Sequence, residues 1–250
     1  MIVMTKVIVI MPAYNAEKTL EKTFNDIPKD IVDKVILGDD CSFDRTVEIA
    51  KKLGIQVLKT PQNLGYGGNQ KMLYREALQQ GADIIVMLHP DWQYDATKIP
   101  ALIAPLLSGA KDVMMGSRIL GGRLGTLAGG MPIYKFISNR FLTWVENVVL
   151  RLNLSEYHTG FRAFTRKVLK KIPFEMNSDD FVFDTEVLAE VAAFGFKAGE
   201  IPVPCRYFAE ASEINFIRST KYGLQTLIVC AKLSLHRLNL RQFAQFLKGI

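Results

Sequence analysis

The apolar run from Ile84 to Leu88 stops abruptly at His89-Pro90-Asp91-Trp92-Gln93. Imidazole, carboxylate and amide occupy alternate positions 89, 91 and 93, and in extended backbone alternate side chains share one side. Oxygen and nitrogen donors of this kind suit Mg²⁺ or Mn²⁺ bridging a diphosphate, where the cation neutralises charge on a leaving group. A polar turn beside a core tryptophan uses the same letters, and the combined pattern favours the cation. His89 alone stays open between ligand and structural imidazole.

Three further clusters carry the same kind of chemistry. Asp39-Asp40-Cys41-Ser42-Phe43-Asp44 places adjacent carboxylates before a helix. Helix capping accounts for Ser42 and Asp44 but not for the pair, so Asp40 is expected to bind ligand and Asp44 to cap. Asn63-Leu64-Gly65-Tyr66-Gly67-Gly68-Asn69 is a glycine-rich turn without the lysine of a P-loop; close approach to a nucleotide at Gly68 and Asn69 and simple chain reversal explain it equally. Gly116-Ser117-Arg118 offers a guanidinium that either pairs with a phosphate or stays solvated.

Around these residues, short β-branched runs alternate with amphipathic segments of helix length. Strands are expected at 6–11, 34–38, 56–59, 84–88 and 112–115, with helices beginning near residues 16, 44, 67 and 97. This pattern belongs to a mainly parallel, Rossmann-like α/β sheet with flanking helices. In such sheets ligands sit beyond the carboxyl ends of the strands, where these clusters fall. The second half is less regular. Residues 121–130 hold five glycines and read as a mobile loop. Helices are expected at 133–152, 183–194 and 219–238, and a strand at 198–203.

In order, Pro12-Ala13-Tyr14-Asn15, Asp39-Asp40 with Ser42 and Asp44, Asp91, Gly116-Ser117-Arg118 and Thr159-Gly160-Phe161-Arg162 resemble family-two glycosyltransferases of the GT-A fold. Within them the chain is similar to the dolichyl- or polyprenyl-phosphate mannose or glucose synthases, over roughly residues 5 to 222. The resemblance implies that Pro12, Ala13, Tyr14, Asn15 and Asp40, with Asp39 beside them, hold the nucleoside of a UDP- or GDP-linked sugar. Asp91 would be the carboxylate of a DxD-like metal motif and Gln93 a further ligand. Family members usually carry an acidic residue where this chain has His89. Thr159 and Arg162 belong to the element that positions donor and acceptor, with His158 a weaker candidate beside it. Asp184 and Glu186, at the start of a helix, are the general-base candidates, which a sugar hydroxyl needs and an anionic lipid phosphate does not. Arg118, Arg162, Arg206, Arg218 and Lys221 would then steer a lipid phosphate. A saccharide acceptor and a nucleotide-sugar-binding protein without activity are the alternatives.

Composition sets outer limits. The chain has 250 residues, 49% hydrophobic and 22% charged, enough for a catalytic domain over 1–215 and a basic helical appendage over 216–250. Its net charge of +6 fits anionic ligands or a solvated basic face, and no nucleic-acid partner is expected. Cys41, Cys205 and Cys230 form no ligand pattern and fit a reducing compartment. No signal peptide or membrane span is read, since Gln225, Thr226 and Lys232 break the longest candidate, so cytoplasmic residence is the default. The segments 133–152 and 219–238 mix apolar and basic faces, suiting the membrane surface, their own sheet or a dimer partner.

Overall fold

The computed structural model describes residues 5–120, 133–206 and 216–247. The glycine-rich segment 121–130 lies outside them. Strands β1 (Val7–Ala13), β2 (Lys34–Asp39), β3 (Gln56–Lys59), β4 (Ile84–Leu88), β5 (Val113–Ser117), β6 (Phe161–Thr165) and β7 (Ala198–Pro202) form one sheet of order β3-β2-β1-β4-β6-β5-β7. All pairings are parallel except those of β6, which runs antiparallel to both β4 and β5.

Alternation along the strands builds two cores. Ile8, Ile10, Ile36, Ile85 and Met87 face one layer, while Val7, Val9, Met11, Leu37, Val86 and Leu88 face the other. Because both faces are covered, β4 and β5 are buried throughout, as continuous apolar strands require. The first layer contains α3 (Gly65–Gln79), α5 (Ile133–Leu150), α7 (Phe183–Phe194) and α8 (Phe216–Arg237); the second contains α1 (Leu20–Asn25), α2 (Thr46–Lys52) and α4 (Ile99–Leu107). The short α6 (Arg166–Lys171) follows β6 directly. The expected division after residue 215 falls at the end of 207–215, outside the described residues. Beyond it, Val229, Cys230 and Leu233 of α8 enter the same core as the sheet.

Two strands differ from the expectation. β1 continues through Pro12 and Ala13, which pair with Gly38 and Asp39. Proline is tolerated there because pairing with β4 has already ended at Ile10, so its missing N–H interrupts no ladder on that side. β6 is absent from the expected strands, and Arg162 is its second residue. The arginine is 1% exposed and is accommodated by an ion pair rather than by solvent. The reversal of β6 matters for the site: its beginning, not its end, lies beside the carboxyl end of β4, where Leu88 pairs with Phe161. Residues 157–160 are thereby delivered to the same rim as His89 and Asp91.

Candidate active site

At the rim the loops after β1 and β2 are stitched together. Asn15, with φ of 53°, donates its backbone N–H to Ser42 Oγ at 2.9 Å, and its Oδ1 accepts from Phe43 N at 2.9 Å. The stitching leaves Tyr14 and Phe43 exposed and edge to face, with centroids 6.3 Å apart. Asp44 accepts from Thr46 N and Glu17 N, which holds the start of α2. Asp40 is spent on the protein itself: it accepts from Leu64 N at 2.7 Å, Gly65 N at 3.0 Å and Thr60 Oγ1 at 3.1 Å. Asp39 is fully buried, and its Oδ1 has no partner among the described residues. The adjacent carboxylates therefore divide into one that clasps the next loop and one with a buried, unpartnered oxygen.

Gly68 and Asn69 lie inside α3 and are buried. Asn69 Nδ2 donates to Gly38 O at 2.8 Å, and a Cβ at Gly67 would stand 2.3 Å from Ser178 O. The glycines admit the backbone of residues 178–179 against the helix, and Gly67 N donates to Asp179 O at 2.8 Å.

After β4 the chain turns sharply. Trp92 sits at φ 57°, a conformation costly for a bulky side chain, and its indole N–H donates to Asp26 at 2.9 Å. That turn directs Asp91 inward. The carboxylate is 7% exposed; Oδ1 accepts from Gln93 N at 3.1 Å, and Oδ2 lies 3.8 Å from His89 Nδ1. Burial pushes the Asp91 carboxyl above the usual range, partly offset by His89, and burial likewise pushes the imidazole below its ordinary value against the pull of Asp91. Asp91 oxygen and His89 nitrogen are adjacent and, among the described residues, pair with no lysine or arginine, so they fit a divalent cation as two ligands. Gln93 is buried beside them.

On its other side His89 Nε2 lies 2.8 Å from the Tyr66 hydroxyl, which donates to Asp184 Oδ2 at 2.9 Å. Asp184 also accepts from Gln70 Nε2 at 3.0 Å and pairs with Arg162 at 2.9 Å. The Arg162 guanidinium further donates to Thr159 O and Tyr157 O, so it braces the turn entering β6 rather than facing solvent. Glu186, two residues after Asp184, is turned away and accepts from Ser178 N at 2.7 Å; burial raises its pKa.

Arg118 forms an ion pair with the fully buried Glu156, which Asn139 also contacts, and donates to His158 O at 2.7 Å. His158 Nδ1 lies 2.7 Å from the Tyr222 hydroxyl, with Nε2 3.2 Å from Glu146. Thr159 Oγ1 donates to Gly116 O, tying the turn to β5. Arg206 stacks over Trp92 at 4.4 Å, on the rim of the site. Lys221 pairs with Asp180 at 2.6 Å, and Arg218 is exposed on the same helix. The structure thus gathers His89, Asp91, Arg162 and Asp184 into one connected group and keeps Glu186 apart. Sequence reasoning missed Tyr66 and Glu156. A large polar ring among glycines was the one available sign of Tyr66; Glu156 had none.

Residues 8–173 match the profile of Glycosyl transferase family 2. A UDP-N-acetylglucosamine–dolichyl-phosphate N-acetylglucosaminyltransferase of Methanococcus voltae is 26% identical over 228 residues, covering 84% of this chain and 88% of that one. A dolichyl-phosphate hexose transferase of Haloferax volcanii is 27% identical over 226 residues, covering 89% and 92%. Among solved structures, glucosyl-3-phosphoglycerate synthase of Mycobacterium tuberculosis, in complex with Mn²⁺ and UDP-glucose, superposes with a TM-score of 0.69 at 20% identity, covering 91% of this chain and 79% of the other. That likeness is one of fold. With more than half its length matched to the family profile and a GT-A sheet carrying the Asp91 turn, the chain belongs to glycosyl transferase family 2 and is a glycosyltransferase.

Proposed function

We propose that this enzyme transfers a hexose from a UDP- or GDP-linked donor to a polyprenyl or dolichyl phosphate, with inversion at the anomeric carbon. The observation that carries the reading is Asp91, a buried carboxylate beside His89 Nδ1 with no lysine or arginine partner among the described residues. Asp91 and His89, with Gln93 next to them, would hold a divalent cation, Mg²⁺ or Mn²⁺, which would supply charge neutralisation for the departing diphosphate. Asp39, with its buried and unpartnered Oδ1, and the exposed Tyr14 with Pro12, Ala13 and Asn15 lie at the strand ends suited to a nucleoside.

The acceptor follows from the bases. A hydroxyl must lose a proton as it attacks, but both base candidates are occupied: Asp184 by Arg162, Tyr66 and Gln70, and Glu186 by Ser178 N. A phosphate acceptor arrives already anionic and requires only positive potential, for which Arg206, Arg218 and Lys221 are the candidates, with Arg206 shared with Asp26 and Lys221 with Asp180. The relatives whose names specify dolichyl phosphate support the same choice. No helix among the described residues is long and apolar enough to cross a membrane. Contact with lipid would instead use the exposed face of α5, where Ile133, Ile137, Phe141, Trp144 and Val148 align, with Leu224 and Ile228 of the adjoining α8, at the cytoplasmic side.

Labelled UDP- and GDP-hexoses offered with polyprenyl phosphate, free saccharides or a small phosphorylated acid test the proposal. Cation-dependent movement of label into the organic phase is expected. Transfer only to a water-soluble acceptor would overturn the lipid assignment. Flotation with anionic liposomes tests the helical face, and a stable dimer that does not float would assign that face to self-association.

A further inference from the structure

We infer that Tyr66 is a positioning residue whose hydroxyl holds His89 in the Nε2–H tautomer, turning the bare Nδ1 toward Asp91 as a cation ligand. The inference rests on the cation reading above for its use, but the tautomer itself is a property of this chain. A tyrosine hydroxyl has one proton. Between His89 Nε2 at 2.8 Å and Asp184 Oδ2 at 2.9 Å, that proton goes to the carboxylate, which is paired with Arg162 and is the stronger acceptor. The hydroxyl must then accept from His89, so Nε2 carries the ring proton and Nδ1 a lone pair.

The other side of the ring agrees. His89 Nδ1 and Asp91 Oδ2 stand 3.8 Å apart, too far for the hydrogen bond that an Nδ1–H would form with a neighbouring carboxylate. Gly160 packs against the face of the imidazole and so fixes the plane in which its nitrogens lie. A Cβ there would lie 2.4, 2.5 and 2.7 Å from Nδ1, Cε1 and Cγ, and such similar distances put it over the ring face, not in the ring plane. Tyr66 is itself fixed by stacking on Phe181, with centroids 4.9 Å apart and planes at 24°. A chain of Arg162, Asp184, Tyr66 and His89 therefore orients one ligand, as outer partners do for metal-bound imidazoles.

Tyr66→Phe keeps the ring and removes the hydroxyl. Nitrogen-15 NMR of histidine-labelled, cation-free protein should show His89 protonated at Nε2 in the wild type and a tautomer mixture in Y66F. Titration calorimetry with MnCl₂ in the presence of UDP should show affinity about 10-fold weaker in Y66F, with the melting temperature nearly unchanged. In an H89A background the same substitution should bring no further loss. A wild-type ring protonated at Nδ1, an unchanged Mn²⁺ affinity in Y66F, or an equal loss in H89A would each overturn the inference. Wild-type protein that has the expected tautomer but takes up no Mn²⁺ with UDP would remove the cation reading and Tyr66's part in it, while sparing the hydrogen-bond assignment.

Discussion

Asp91 and Asp184 are buried carboxylates joined through His89 and Tyr66, yet the protein provides for them in opposite ways. Asp184 has Arg162, Tyr66 and Gln70 for its oxygens. Among the described residues Asp91 has one backbone amide and an imidazole whose pKa burial lowers. Removing a carboxylate from water without a cation is costly. The paired carboxylate completes the scaffold, whereas the unpaired one leaves a negative charge for a cation from solution. Burial alone does not separate these roles; ownership of an arginine does.

The contrast is sharpened most by Asp91→Asn. Transfer should fall by about 10³-fold or more, while the cation-free protein keeps or raises its melting temperature, because a poorly solvated charge is gone. Low activity with a lower melting temperature would place Asp91 with the scaffold. Arg162→Met should do the reverse, costing about 3–5 kcal/mol of folding stability by stranding Asp184, read from the denaturant midpoint. Adding Asp184→Asn should recover part of that loss. If R162M folds normally, the division between the two carboxylates fails.

A smaller effect is expected at Glu190, a fully buried carboxyl whose pKa burial raises well above the ordinary value, with the Asn177 amide near but outside hydrogen-bonding geometry. A raised folded-state pKa gives stability that is fully present below the unfolded pKa and lost as pH rises through the folded one. Glu190→Gln should therefore match wild type near pH 4 and exceed it by about 1 kcal/mol at pH 8. Equal differences at both pH values would mean that the group does not titrate this way. The smallest stability change, about 0.5 kcal/mol or less, is expected for Phe141→Ser with Trp144→Ser on the exposed face of α5. That pair should nonetheless lose liposome flotation.

Legibility followed the range of the interactions. The strands of the first half announce themselves as apolar runs, and the turn at His89, Asp91 and Gln93 is a pattern of local spacing. The partners that define roles lie far away in sequence: Tyr66 meets Asp184 across 118 positions, and Arg118 meets Glu156 across 38. Asp40 looked like the ligand carboxylate and Asp39 its neighbour because adjacent acids are indistinguishable until the amides of Leu64 and Gly65 are placed. β6 holds only five residues and carries Arg162, whose counter-charge, Asp184, lies 22 positions away. Gly68 reads as an opening toward ligand, but it sits within α3 where the backbone of residues 178–179 presses against the helix start.

The reversed strand also has a consequence for synthesis. β1 to β4 can pair as soon as Leu88 has left the ribosome, but the far edge of β4 finds its neighbour only when Phe161 to Thr165 follow. Until then the nascent chain presents an apolar strand with an unsatisfied ladder, the kind of edge that recruits other chains. Expression yield should therefore depend on how quickly the ribosome crosses the interval between β4 and β6. Pausing there prolongs the life of a sticky half-sheet; a holdase that shields it would raise recovery without altering the finished enzyme.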